Sequence, residues 1–335
     1  MKILIVANYN LGKGGISGVV RNHMSKLASE GFKVEVFNTK KNSLRRLFLV
    51  FPLIKKVRRF DVIHIHGCSG LGFYPIFIGI IVSKIILKKR TIITYHGGGA
   101  ETFFNKHIIW VRWMMKKADH VTVMSEFLQN IFCNYKIETV ILKNLINIEI
   151  KKEGKARFDI PRLLSIRSLT PVYNIQDIIS AFQLIRKNYP EATLQIAGSG
   201  PLEVQLKELS KHTTGITFVG QIPNEEIPTL MNQNNILITV PSLDNQPMSI
   251  LEAFSASIPV ISSHVGGVPD MIKDSFNGFL VDTHSPEQIS EKVKWIFSHQ
   301  TQMHDILENA KKSISKYQWP EVKKTLLTLY QNQIF

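Results

Sequence analysis

Residues 241–254 read PSLDNQPMSILEAF, and residues 257–270 read SIPVISSHVGGVPD. This stretch alternates a polar loop, an apolar helix, an apolar strand and a glycine-rich turn. That order is typical of α/β enzymes, which bind ligands in a crevice at the carboxyl ends of parallel strands. Asp244 in the loop and Glu252 in the helix are therefore the first candidates for a ligand site.

Short apolar strands alternate with helices along the rest of the chain, which predicts an α/β fold with doubly wound parallel sheets. A chain of 335 residues is too long for one ordinary core, so two domains are expected. The polar segment KKEGK at residues 151–155 suits a linker. We predict Rossmann-like domains at residues 1–152 and 153–318. A last amphipathic helix, at about 319–335, can pack back on either domain and is assigned to the first.

Composition predicts a globular protein, with 44% hydrophobic and 20% charged residues. Cys68 and Cys133 give no disulfide framework and suit a reducing cytosol, and no secretory signal is visible at the start, so a cytoplasmic protein is expected. The apolar residues 71–87 are interrupted by Pro75 and Lys84 and fall short of the ~20 residues that span a bilayer. They are predicted to form a buried helix.

The positive charge lies in the first half of the chain. Residues 1–150 contain 23 Lys and Arg against 8 Asp and Glu, whereas residues 151–335 contain 18 of each kind, so the net charge of +15 belongs to the first half. Such a half can meet nucleic acid, an anionic membrane or a phosphorylated substrate. No nucleic-acid recognition motif accompanies the charge, so nucleic acid is not expected.

Residues 44–59, LRRLFLVFPLIKKVRR, interleave cations with large apolar side chains. This composition suits a segment on an anionic bilayer surface, with the cations at the headgroups. An ordinary helix interrupted at Pro52, with a solvated basic face, fits equally well. The candidate membrane-surface cations are Arg45, Arg46, Lys55, Lys56, Arg58 and Arg59.

Glycine-rich turns follow strands in both halves. GKGGISG at residues 12–18 places backbone N–H groups at the start of a helix, where an anion can bind. It matches neither common phosphate-binding glycine motif, and a plain turn explains it equally well. AGSGP at residues 197–201 is similarly ambiguous.

Histidines mark two strands of the first half. His64 and His66, in DVIHIHG, share one face of a strand at a spacing that two metal ligands can use. No companion cluster completes a ligand set, so packing or strand-end polarity is favoured and no metal is expected. His96, in TYHGGG, follows a strand at the edge where parallel sheets bind ligands.

In combination these motifs resemble the retaining GT-B glycosyltransferases of the family-4 type. The resemblance rests on the first glycine loop, DVIHIHG, TYHGGG, GSGPL, FVGQIP, residues 241–281 and YQWPEV at 317–322, and it covers nearly the whole chain. It implies two facing Rossmann-like domains, the first for the acceptor and the second for a nucleotide-diphosphate sugar. It also implies transfer with retention, by front-face attack in which the leaving phosphate takes the acceptor proton.

The same resemblance implies roles for individual residues. His96 lies beside the donor sugar and, with Asp244, is a catalytic candidate, although the family more often has Glu at the position of Asp244. Glu252 holds the ribose hydroxyls, and Gly14 and Gly15 approach the distal phosphate. The remaining donor-binding candidates are Arg167, Tyr173, Gly198, Asn245, Gln246, Pro247, Met248 and Ser249.

The chain departs from the family at the phosphate clamp, where the usual Arg and Lys are Ser168 and Tyr173. A Lys-to-Tyr change removes a charge that neutralises the leaving diphosphate. Arg167 can supply that charge if the strand end is shifted by one residue; otherwise the donor is atypical or activity is lost. No Asp-x-Asp motif is present, so a UDP- or GDP-linked donor without a metal or other cofactor is expected.

The expected function is transfer of a sugar to a glycan or lipid-linked acceptor in surface polysaccharide or glycolipid biosynthesis. The basic half places this reaction peripherally at the inner face of the cell membrane. Two alternatives remain open, a catalytically silent GT-B binding subunit and a nucleotide-sugar epimerase-like enzyme.

Overall fold

The computed structural model describes residues 1–10, 15–40, 46, 48–146 and 158–331. It divides into two compact units, one of Met1–Asn147 with Lys316–Phe335 (unit 1) and one of Ile148–Ser315 (unit 2). The predicted linker at residues 151–155 and the predicted boundary at 152/153 lie outside the described residues.

Unit 1 contains a six-stranded parallel sheet in the order β2-β1-β3-β4-β5-β6. Its strands are β1 (Lys2–Ala7), β2 (Lys33–Asn38), β3 (Val62–Gly67), β4 (Arg90–Tyr95), β5 (His120–Val123) and β6 (Val140–Ile141). Its first helices are α1 (Gly15–Ser29), α2 (Val50–Val57), α3 (Tyr74–Ile80), α4 (Ala100–Lys117) and α5 (Glu126–Asn134).

Unit 2 contains a second six-stranded parallel sheet, in the order β12-β11-β10-β7-β8-β9. Its strands are β7 (Arg162–Ile166), β8 (Thr193–Ala197), β9 (Ile216–Gly220), β10 (Ile236–Thr239), β11 (Val260–Ser263) and β12 (Phe279–Val281). Its helices are α6 (Ile175–Arg186), α7 (Glu203–Ser210), α8 (Ile227–Gln233), α9 (Met248–Ser255), α10 (Pro286–Ser298) and α11 (Gln300–Ser313). The two parallel sheets confirm the predicted α/β class.

The last helix, α12 (Trp319–Gln331), packs into the core of unit 1. Leu326 and Tyr330 are buried in the same cluster as Ile3 and Ile5 of β1. Each such side chain contributes about 1.5–3 kcal/mol when it leaves water. The Arg90 guanidinium donates to the carbonyl oxygen of Leu329 at 2.6 and 2.9 Å, near the carboxyl end of the helix, where cations are favourable.

Strand β3 is buried on both faces, as expected for a strand inside a parallel sheet. Ile63 and Ile65 belong to the apolar cluster that includes Leu53 of α2. Because neighbouring side chains alternate, His64 points to the opposite face, where it meets Tyr330 of α12. The sheet therefore has an apolar face and a face that carries polar groups.

The apolar stretch at residues 71–87 is helical, but the prediction that it is buried is wrong for several side chains. It begins with a 3₁₀ turn (Gly70–Phe73), continues as α3 and ends as a π-helix (Ile81–Ile86). Leu71 is 83% exposed, and Phe77, Ile85 and Ile86 are also exposed, because only one face of these helices meets the sheet. Within the described residues, no helix combines the length and apolar character needed to cross a membrane.

Candidate functional site

The order in which the chain adds strands to the sheet of unit 2 reverses between β7 and β10. The chain runs from β7 through β8 to β9 on one side, and from β10 through β11 to β12 on the other. Loops that leave such a switch point diverge, which creates a crevice at the carboxyl ends of the strands. Arg167 directly follows β7 and Asp244 lies in the loop after β10, so the topology brings two predicted site residues to this point.

Arg167 and Asp244 form an ion pair at the switch point. Arg167 Nη2 lies 3.0 Å from Asp244 Oδ2, and both side chains are largely buried. Arg167 Nε donates to Thr239 Oγ1 at 2.8 Å, and its guanidinium carbon lies 5.0 Å from the centre of the Tyr173 ring. The guanidinium is thereby held on three sides, and its positive charge is shared with Asp244.

These contacts show which residue places a positive charge beside the predicted phosphate clamp. Ser168 is exposed, whereas the half-buried Tyr173 stacks against Arg167. The cation beside the predicted donor loop is therefore Arg167, and the aromatic ring at the lysine position supports it. Thr239 was missed by sequence reasoning because a threonine within an apolar strand carries no distinguishing signal.

Two glycines allow the backbone around this ion pair to pack closely. Gly198 has a φ of +144°, and a Cβ there would overlap with the carbonyl oxygen of Arg167. Gly266 has a φ of +53°, and a Cβ there would overlap with the carbonyl oxygen of Asp244. That carbonyl also accepts a hydrogen bond from Gly267 N at 3.1 Å. Gly266 was quoted in the motif but was not predicted as a site residue.

The amino terminus of α9 lies directly after the predicted donor loop. Pro247 has an extended backbone and precedes the first helical residue, Met248, so the helix opens where the sequence predicted. Asn245 and Gln246 are buried in the loop. Ser249 Oγ in the first turn is buried and has no hydrogen-bond partner among the described residues. Such a turn presents N–H groups that can bind an anion.

Glu252 follows one turn further along α9. Its side chain is buried, and burial raises its pKa to about 7, although the positive charge of Arg167 acts in the opposite direction. The carboxyl group is therefore close to half-protonated at neutral pH. Once ionised, it can accept hydrogen bonds from two hydroxyl groups of a ligand.

His96 in unit 1 follows β4 and is fixed by two hydrogen bonds. Its backbone N–H donates to the carbonyl oxygen of Gly67 at 2.9 Å, and its Nε2 lies 2.8 Å from His66 Nδ1. Burial lowers the pKa of His96 to about 3, with a smaller contribution from His23. The ring is therefore neutral at pH 7.

His64 and His66 lie side by side on β3, with ring centres 4.3 Å apart. His23 of α1 packs on both, at centre-to-centre distances of 6.2 and 5.8 Å. Burial is the main cause that lowers the pKa of all three rings, to about 4 for His23. His23 is thus the third member of this histidine cluster. The sequence did not reveal it because no motif connects His23 to β3.

The remaining predicted residues belong to the first glycine loop and to the basic stretch at residues 44–59. Gly15 begins α1, while Gly14 and Arg45 lie outside the described residues. The Arg46 guanidinium lies 5.2 Å from the Tyr74 ring centre. Lys56 Nζ is paired with Glu35 at 2.8 Å. The exposed cations in this part of the basic stretch are Lys55, Arg58 and Arg59.

Two families of known proteins match the two halves of the chain. The family "Glycosyl transferases group 1" matches residues 147–313, and "Glycosyltransferase Family 4" matches residues 13–149. An uncharacterized glycosyltransferase of Methanocaldococcus jannaschii is 22% identical, covering 99% of this chain and 98% of the relative. N-acetyl-alpha-D-glucosaminyl L-malate synthase of Bacillus anthracis is 23% identical, over 76% of this chain and 73% of that protein.

A solved structure has the same fold. Anabaena HepE, crystallised with UDP and glucose, superimposes with a TM-score of 0.80 at 17% identity and covers 99% of this chain and 100% of its own. The chain belongs to the GT-B glycosyltransferases of the family-4 type. It is a transferase enzyme of the class that transfers glycosyl groups.

Proposed function

We propose that the protein transfers a sugar, with retention of configuration, from a nucleotide-diphosphate sugar to a glycan or lipid-linked acceptor in surface polysaccharide or glycolipid biosynthesis. The observation that carries the proposal is the convergence of Arg167, Asp244 and the start of α9 at the β7/β10 switch point. Anabaena HepE was crystallised in complex with UDP and glucose, which favours a UDP-linked donor over a GDP-linked one here.

The geometry suggests how unit 2 would hold the donor. N–H groups in the first turn of α9, together with Ser249 Oγ, would bind the diphosphate, and Arg167 would offset its charge. Asp244 would accept hydrogen bonds from sugar hydroxyls, and Glu252 from the ribose. This arrangement requires no metal at the diphosphate, in keeping with the lack of an Asp-x-Asp motif.

The state of His96 supports retention. An inverting enzyme needs a general base whose pKa lies near the working pH. A histidine with a pKa of about 3 is a poor base, but its neutral ring can donate a hydrogen bond to the donor sugar. In the proposed reaction the acceptor oxygen attacks the anomeric carbon as the bond to the diphosphate breaks. The departing phosphate oxygen takes the acceptor proton.

A panel of nucleotide sugars tests this function. Thermal unfolding and donor hydrolysis would be measured for wild type and for Glu252→Ala, with exposed Glu208→Ala as the matched control. We expect one donor to raise the unfolding temperature and to be hydrolysed slowly, and we expect Glu252→Ala alone to lose both effects. Absence of either effect with every donor would indicate the silent binding subunit. Conversion of the sugar without hydrolysis or transfer would indicate the epimerase-like enzyme.

The surface of unit 1 favours an acceptor held at an anionic membrane on the cytoplasmic side. Helix α4 exposes Ile109 and Trp113 at 87% and 47%, one turn apart on the same face. Lys117 Nζ lies 5.5 Å from the Trp113 ring centre, and Lys106 is exposed just before the kink in α4 at His107. Apolar side chains flanked by cations are the composition of interfacial helices. The proposed membrane surface thus combines α4 with the exposed cations Lys55, Arg58 and Arg59 of the basic stretch.

Vesicle sedimentation tests the contribution of α4. Ile109→Ser with Trp113→Ser should reduce binding to vesicles that contain phosphatidylserine by at least about tenfold, because two apolar side chains that would insert into the membrane are lost. The matched control is Val204→Ser with Leu209→Ser, which removes two exposed apolar side chains from α7. Equal losses in both double variants would contradict a specific membrane surface on α4.

A further inference from the structure

Three buried histidines of unit 1 form a cluster. The proposed transfer reaction assigns no role to two of them, His23 and His64. His23 comes from α1, and His64 and His66 come from β3. All three side chains are at most 1% exposed. One ring nitrogen of each lies within 4.8 Å of the corresponding nitrogens of the other two. The fold thus brings together three nitrogen ligands from two separate elements.

The hydrogen bonds of the cluster leave ring nitrogens available. Both ring nitrogens of His23 and Nε2 of His66 lack a hydrogen-bond partner among the described residues. A buried polar atom without a partner costs about 1–3 kcal/mol, so such atoms call for an explanation. His66 Nδ1 lies 2.8 Å from His96 Nε2, and this contact fixes the ring while Nε2 faces away. Metal-binding histidines are commonly oriented by a hydrogen bond at their second nitrogen.

His64 is held differently. Its Nδ1 lies 2.8 Å from the Tyr330 hydroxyl, and its Nε2 lies 2.7 Å from Thr94 Oγ1. Both partners are hydroxyl groups, which can rotate to donate or accept. His64 must exchange one of these contacts to bind a metal, and the other contact then orients its ring in the way that His96 orients His66.

We propose that His23, His64 and His66 bind one Zn²⁺ ion inside unit 1. Neutral imidazole is a preferred ligand of zinc, and three histidines form a known zinc-binding set. A metal at the centre of three atoms at most 4.8 Å apart would lie at most about 2.8 Å from each, so each ring must approach by no more than about 0.7 Å to reach the usual ~2.1 Å. Small side-chain rotations provide such a shift.

The ligand set also defines the character of the site. No carboxylate belongs to the group within the described part of the chain, so hydroxide or another small anion completes the zinc shell and offsets its charge. The ion ties α1 to β3 and, through His66, holds the ring of His96 in place. It is therefore a positioning and stabilising site of unit 1.

Zinc counting in the full-length protein tests the site. Protein treated with a chelator is dialysed against Zn²⁺ and freed of excess ion, and bound zinc is measured by elemental analysis. Wild type and the exposed-histidine control His304→Gln should each retain one zinc per chain, whereas His23→Gln should retain less than a tenth as much. Circular dichroism checks that the variants are folded. Absence of zinc in wild type, or one full equivalent in folded His23→Gln, would overturn the proposal.

X-ray absorption at the zinc edge of the wild-type protein provides a test that needs no variant. The expected shell contains three imidazole nitrogens at about 2.0–2.1 Å and one further light atom. Sulfur in the shell would overturn the proposal, because Cys68 and Cys133 lie outside the cluster. Both measurements are made without a nucleotide sugar. A failed transfer assay therefore leaves the zinc site standing, and absence of zinc leaves the proposed transfer unaffected.

Discussion

Glu252 combines a buried position with a pKa of about 7, which would link the proposed donor binding to pH. The ionised carboxylate is the form that can accept hydrogen bonds from ribose hydroxyls, whereas in the free protein the Glu252 side chain is mostly protonated below pH 7. We therefore predict that affinity for the donor identified with the nucleotide-sugar panel weakens about tenfold between pH 8 and pH 6. Calorimetric titration measures this, and Glu252→Gln should give weak binding with a flat pH profile. Wild-type affinity that stays constant over this range would contradict the assignment.

The same pKa has a consequence for stability. The folded state keeps the Glu252 proton up to about pH 7, whereas the unfolded chain releases it near pH 4.5. Its contribution to folding is therefore fully present below pH 4.5 and is lost as the pH rises through 7, at a cost of up to about 3 kcal/mol. Binding of the proposed donor would compensate for this cost.

Tyr173, which is predicted to occupy the position of the family's lysine, supports Arg167 through its ring. A contact of this kind contributes about 0.5–2 kcal/mol. We predict that Tyr173→Phe, which keeps the ring, leaves kcat and KM within about twofold of wild type. Tyr173→Ala should lower kcat/KM by at least about threefold, because Arg167 loses a support. Equal effects of the two variants would indicate that the hydroxyl group, not the ring, is what matters.

Among the elements of unit 2, the loops after β8 and β11 depend on glycine. Gly198→Ala and Gly266→Ala should each lower the free energy of unfolding by more than about 2 kcal/mol, because a Cβ overlaps with a carbonyl oxygen and φ is positive. Gly220 is a matched control, since its φ is +70° but no atom lies within 4 Å of a Cβ. Gly220→Ala should cost only about 1 kcal/mol. Denaturant unfolding measures all three, and equal losses would rule out the steric explanation.

Alternating apolar and polar segments were sufficient to predict the parallel sheets, because the period of a strand and the position of glycine turns are local properties. The opening of α9 at Pro247 was predictable for the same reason. The pairing of Arg167 with Asp244 was not, because it depends on β7 and β10 being neighbours in the sheet. His23 could not be assigned to the cluster from local patterns either, since that requires the rotational position of α1 over β3.

The burial of residues 71–87 shows a further limit of local patterns. A run of apolar side chains indicates that one face of a helix meets the core, but it does not indicate what covers the other face. Here Phe77 and Ile86 remain exposed, on helices joined to the same apolar cluster as α4. Contiguous exposed apolar surface is characteristic of interaction sites, so these side chains are candidates for the proposed membrane surface.

At the scale of the whole molecule, the charge asymmetry separates a basic half, which carries the proposed membrane surface, from a neutral half. Each cation close to an anionic membrane contributes about 1 kcal/mol, so reversal of Lys55, Arg58 and Arg59 to Glu should weaken vesicle binding by at least about 100-fold. The same reversal at three exposed lysines of unit 2, Lys294, Lys311 and Lys312, changes the net charge equally and should have a much smaller effect.

Salt provides the second arm of this measurement. Because the Debye length falls to about 3 Å at 1 M, wild-type binding to phosphatidylserine vesicles should decrease steeply with added salt. Binding that persists should then depend on Ile109 and Trp113, whose contribution is hydrophobic and is not screened. Comparable losses after charge reversal in either half would mean that net charge alone drives binding. If a defined surface on unit 1 binds the membrane, the loss of vesicle binding must instead depend on where the reversed charges lie.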